Sequence, residues 1–97
     1  MAKWLFDSRG TPVAFVSGRN VFSRSGEFIG QLDGNEVWRG KYRGEIVKGD
    51  RLLYKTTKSP VIRGIPGLPG LPGLPGLPGL KGAIGLPAGY RDVELES

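Results

Sequence analysis

The sequence predicts an all-β head carried on an extended tail, and three observations predict it. Aromatic residues, each preceded by an aliphatic one, recur every 16 residues at Phe6, Phe22, Trp38 and Tyr54. Glycine-bearing turn signals fall between them, and no window shows the apolar spacing of a helix. From Gly64 to Pro87 a glycine then holds every third position through eight triplets. The expected architecture is four short hairpin repeats of about 16 residues in a radial or closed, pseudo-fourfold arrangement, followed by an extended polyproline II, collagen-like tail.

Each repeat is built in the same way. In VFSRSGEFIGQLDGNE, Val21 to Glu36, two β-prone runs are separated by SRSG and closed by DGN. Both signals contain glycine because a tight hairpin turn needs a residue with positive φ, which is costly for a residue bearing a Cβ. Other positions keep the period: Gly10 with Gly26, Ala14 with Gly30, Gly18 with Gly34, and Pro12-Val13 with Pro60-Val61 three periods later. The third copy is two residues short at its first turn, WRGKY from Trp38 to Tyr42, and regains the length before Tyr54. The fourth is degenerate.

Such hairpins cannot each bury a face alone, so neighbours must share one core, and closure protects edges that an open meander would expose. Phe6, Phe22, Trp38 and Tyr54 are accordingly expected around one axis as core aromatics, with a stacking platform as the alternative. All four repeats end before Gly64. This predicts a self-sufficient β domain at residues 1–63, a Gly-X-Y stalk at residues 64–87, and a C-terminal cap or disordered end at residues 88–97.

The segments WLFD, PVAFV, FIG, LDGN, VW, GEIV, GDRL and YKT, spread over residues 4–57, resemble those of the 4-fold beta flower proteins, a bacterial family. The resemblance implies a small all-β domain with four hairpin petals about a pseudo-fourfold axis. It brings no activity and no catalytic residues with it.

In the tail, proline holds the third place of five consecutive triplets from Gly64 to Pro78 and again at Gly85-Leu86-Pro87. Gly79-Leu80-Lys81 and Gly82-Ala83-Ile84 keep the glycine without the proline. Where three polyproline II chains meet at one axis only glycine fits, whereas a plain linker has no need of a three-residue period. The pattern predicts self-association, trimers favoured, through Gly64, Gly67, Gly70, Gly73, Gly76, Gly79, Gly82 and Gly85. Leu68, Leu71, Leu74 and Leu77 would form an apolar edge that a lone chain leaves wet. A stiff spacer is the alternative.

Composition removes most catalytic constellations. With no cysteine and no histidine there is no disulfide, thiolate or imidazole, so no catalytic, cofactor-binding or metal site and no small-molecule substrate is expected. The N-terminus lacks the apolar core of a secretory signal and no long apolar run occurs, which predicts a cytoplasmic protein without a membrane span. The net charge of +5 sits in the head, where residues 1–63 carry twelve Lys/Arg against six Asp/Glu. Arg39, Lys41 and Arg43 form a candidate patch for nucleic acid or another polyanion. The expected function is that of a non-enzymatic structural protein whose β heads are joined by the stalk into a homo-oligomer or filament. The alternative is a basic binding module with the tail as spacer.

Overall fold

The structure, a computed structural model, describes residues 3–57 and 75–93. It is all-β, with strands β1 (Lys3–Phe6), β2 (Pro12–Ser17), β3 (Asn20–Ser23), β4 (Phe28–Asp33), β5 (Glu36–Arg39), β6 (Lys41–Val47), β7 (Arg51–Lys55) and β8 (Tyr90–Asp92). Consecutive strands pair antiparallel, and β1 also meets β7 in parallel at Phe6 and Arg51, so the first seven strands close on themselves. The seam is completed by the Phe6 amide donating to the Asp50 carbonyl at 2.8 Å and the buried Arg51 guanidinium donating to the Asp7 carbonyl at 3.1 Å.

The 16-residue period has a local structural cause. The ladder register shifts opposite Leu5/Phe6, Val21/Phe22 and Val37/Trp38, at the same place in each repeat, and the extra residue, Val13, Ile29 or Arg43, bulges the partner strand β2, β4 or β6. A bulge bends its strand and sharpens the right-handed twist, which is what a short sheet needs to curl into closure. Two of the intervening turns have two residues, Gly18-Arg19 and Gly34-Asn35, and their glycines have φ of 63° and 62°. Glycine in the first central position matches a II′ turn, whose twist suits the flanking strands. At the shortened third copy a single residue, Gly40 with φ of 76°, joins β5 to β6.

The periodic aromatics do not gather round an axis. The shared core is aliphatic: Leu5, Ala14, Val21, Ile29, Val37 and Leu52, drawn from six strands. Phe22 belongs to a second cluster with Phe15 and Phe28, against which Trp4 packs. Successive side chains on a strand face opposite sides of the sheet, so where Ala14, Val21 and Ile29 point into the common core, Phe15, Phe22 and Phe28 point away from it. Rings then follow the strands. Phe15 stacks on Phe22 with centroids 5.4 Å apart, and Tyr42 links Trp38 at 5.6 Å to Tyr54 at 5.1 Å. Phe6, Phe22 and Trp38 are buried, and Tyr54 is half-buried.

A domain boundary at residue 63 does not enclose the sheet. Its eighth strand, β8, comes from beyond the Gly-X-Y run and pairs with β7 through Leu53 with Asp92, Tyr54 with Arg91 and Lys55 with Tyr90. The match is tight: a Cβ on Gly44, where φ is 153°, would lie 2.9 Å from Val93 and 3.0 Å from the Leu53 carbonyl. Residues just after the tail are therefore part of the head.

Candidate functional site

The tail segment 75–89 lies across the seam, and the head supplies its seat. The Trp4 indole donates to the Gly76 carbonyl at 2.9 Å. Further along, the Lys81 amide donates to the Gly10 carbonyl at 2.9 Å and the Ile84 amide to the Ser8 carbonyl at 2.7 Å. The Lys81 ammonium pairs with the Asp50 carboxylate and stands 4.8 Å above the Phe6 ring, so one side chain bridges the two sides of the closing seam. Gly10 has to be glycine: its φ is 89°, and a Cβ there would run into the Lys81 backbone.

The first turn is shaped for this contact. Asp7 accepts from the amides of Arg9 and Thr11, both at 2.9 Å, which folds residues 7–11 into a compact loop and leaves the Ser8 and Gly10 carbonyls outward. Ser8 also donates twice to Asp92, from its amide and its hydroxyl, both at 2.7 Å, joining residues 84 apart in the sequence. Thr56 holds the return into β8 by donating from its amide and hydroxyl to the Gly89 carbonyl at 2.7 and 2.9 Å.

Among the described triplets, the two without proline are the two whose backbone amides donate to the head. Lys81 and Ile84 occupy the third place of their triplets, and it is their backbone amides that bond the head. Proline has no N–H, so the surrounding pattern repeated here would delete both bonds. The absence of proline at these two places was the signal in the sequence for a docking segment. Lys81, Ile84, Ser8, Gly10, Asp50 and Asp92 were not singled out as site residues.

Of the glycines expected to drive self-association, Gly76, Gly79, Gly82 and Gly85 are described, and a Cβ at any of them would meet nothing within 4 Å. Leu77 is exposed at 66 %, Leu80 at 78 % and Leu86 at 48 %. Gly64, Gly67, Gly70, Gly73, Leu68, Leu71 and Leu74 lie outside the described residues. In the basic patch, the tight turn at Gly40 sets Arg39 and Lys41 opposite one another on β5 and β6. Arg39 donates to the Phe28 carbonyl at 3.0 Å and lies 5.3 Å over the Phe28 ring. Lys41 is exposed and Arg43 half-buried.

Charge on the site is set by its partners. The hydrogen bond from Lys81, more than any other influence, holds the Asp50 carboxyl below its ordinary range. Near β8, burial and the hydrogen bond to Glu45 push the Tyr42 hydroxyl far above its ordinary 10.0, and burial with the Glu45 charge raises Tyr90. Glu45 accepts from Tyr42 at 2.7 Å and from Tyr90 at 3.3 Å, linking β6 to β8. Among the described residues no group of acidic side chains is arranged to hold a metal ion.

A meander closed through a single parallel pair, with a bulge in each of three alternate strands, defines a small closed all-β domain of the petalled kind. The chain belongs to the 4-fold beta flower protein family, whose model matches residues 2–83. No curated protein and no solved structure matches it.

Proposed function

We propose that the protein is a non-enzymatic assembly protein, whose β heads are joined through the Gly-X-Y run into a homo-oligomer, with a trimer as the unit. The observation that carries this reading is the open space at Gly76, Gly79, Gly82 and Gly85 together with the wet side chains of Leu77, Leu80 and Leu86. At these four described positions the folded single chain has no steric use for a glycine, whereas a triple helix requires one every third residue. The run winds from Gly64 onward, and the amides of Lys81 and Ile84, both in the third place of their triplets, fasten its end to the head.

The same reading places four repeats in the head. The equally spaced register shifts at Leu5/Phe6, Val21/Phe22 and Val37/Trp38 support three of them, and β7 with β8 makes the fourth hairpin, whose connection, residues 56–89, contains the Gly-X-Y run. A stalk inserted in one petal leaves both of its ends tied to a head, which suits a protein that links heads. The polyanion alternative has less support, since Arg39 is engaged with Phe28.

The test compares Gly76→Ala with Leu77→Ala in the full chain by native mass spectrometry and thermal melting. In a wound stalk the alanine at Gly76 puts a methyl at the axis in every strand, so it lowers both assembly and melting temperature more than trimming the outward Leu77. A strictly monomeric parent, or two variants that behave alike, overturns the reading.

A further inference from the structure

The turns joining β2 to β3, β4 to β5 and β6 to β7 line a cavity of about 530 Å³, and none of the described tail residues is in its lining. Its wall is made by Val16, Leu32 and Ile46, one each from β2, β4 and β6, all half-buried and packed on the aliphatic core. Its mouth carries the exposed Lys3 and Lys48, and among the described residues no carboxylate lines it. The Lys3 ammonium is held at this rim by donating to the Gly49 carbonyl at 2.7 Å.

Lys48 stands out among these residues. It is the one non-glycine with positive φ among the described residues, at 55°, a region that disfavours any side chain with a Cβ. In the two other turns at this cavity the corresponding strain is avoided, because glycine occupies the positive-φ place at Gly18 and Gly34. A strained backbone that presents a charge at the mouth of a cavity is a pattern found at ligand sites. The volume falls within the range of small-molecule pockets, which combine apolar walls with a few placed polar groups.

We propose that this cavity binds a small amphipathic anion, a medium-length acyl carboxylate, with its apolar chain against Val16, Leu32 and Ile46 and its carboxylate between Lys48 and Lys3. The apolar wall excludes a bare phosphate or nucleotide as the best fit, since neither would cover it. Two ammonium groups with no opposing carboxylate in the lining favour an anion over a neutral or cationic amphiphile.

The test uses the full chain, labelled for 15N–1H NMR and titrated with octanoate, with acetate and 1-octanol as the short and the neutral probes. Octanoate is expected to shift the amides of Gly18, Gly34 and Gly49 saturably, with the other two probes binding at least about tenfold more weakly. Lys48→Gly relieves the backbone and so keeps the fold, yet weakens octanoate about tenfold through loss of one charge-assisted hydrogen bond. Shifts confined to the exposed tail leucines overturn the proposal. So does 1-octanol binding as tightly as octanoate, or a Lys48→Gly protein that binds octanoate as the parent does.

Discussion

In the head, glycines at three places stand where a Cβ would collide: Gly10 against the Lys81 backbone, Gly30 at 2.6 Å from the Trp38 carbonyl, and Gly44 at 2.9 Å from Val93. In the docked tail, the glycines at 76, 79, 82 and 85 face open space. One residue type thus answers two different demands. The head glycines are set by contacts within the chain, and their spacing follows the hairpins. The tail glycines follow a period that no contact in the described structure imposes. Seating of the tail comes instead from two backbone amides and one lysine. Within a single chain, a strict repeat and a tight contact are therefore separable signs, and only the second speaks of this fold.

The comparison can be broken at the head first. Trp38 is 5 % exposed, packs against Tyr42 and donates from its indole to Glu36 at 3.1 Å. Trp38→Ala is expected to cost about 3–5 kcal/mol in urea unfolding, and a loss under about 1 kcal/mol would place the ring outside the packing that the structure gives it. Next, Gly30→Ala should lose about 1–3 kcal/mol, because the added methyl meets backbone that cannot step aside. Gly79→Ala, in the same assay on the monomeric protein, should lose nothing measurable. If the two substitutions cost the same, the distinction between the glycines fails.

A smaller effect probes the seat of the tail. Ile84→Pro removes the amide that bonds Ser8 and should release the tail locally, at about 0.5–1.5 kcal/mol for the lost hydrogen bond, without unfolding the sheet. Faster hydrogen exchange at the Lys81 amide, with unchanged protection in β3 to β5, is the expected reading. The smallest effect is that of acid. Asp50 is held below its ordinary 3.8 by Lys81, so its contribution to docking is present above that value and is lost as the pH falls through the lowered one. Asp50→Asn should abolish this acid dependence of the Lys81 exchange rate, and a variant that retains it would assign the effect to another group.

Much of the head was readable because its signals are local. A positive-φ turn selects glycine, a half-buried strand selects alternation, and the repeated aliphatic-aromatic pair on β1, β3 and β5 stands opposite the bulge of its partner strand. The pairs do not announce which of their two residues faces the shared core, and it is the aliphatic one that does. The pleat lets only one of two neighbours face inward, and the narrow interior of a seven-strand closure takes the aliphatic one. The origin of β8 was unreadable for a different reason. The period stops near Tyr54, and Tyr90–Asp92 resembles no earlier strand of the head, so nothing local announces the pairing. Lys81 and Ile84 fell between these cases: their departure from the proline pattern was visible, but its meaning needed the positions of the Gly10 and Ser8 carbonyls.

The seam between β1 and β7 also dictates an order of events during synthesis. Seven strands are complete by Lys55, and they can curl together as soon as that stretch has left the ribosome, yet the parallel contact that shuts them spans only Phe6 and Arg51. Lys81, which spans the gap from Asp50 to Phe6, and Asp92, which ties Ser8, emerge later. The nascent barrel must therefore pass through a breathing, unfastened interval whose length is set by the translation of the Gly-X-Y run. Lys81 and Asp92 then act as a bolt thrown after the door has swung to, so a ribosome that pauses on the proline codons lengthens the time for which the molecule can still open.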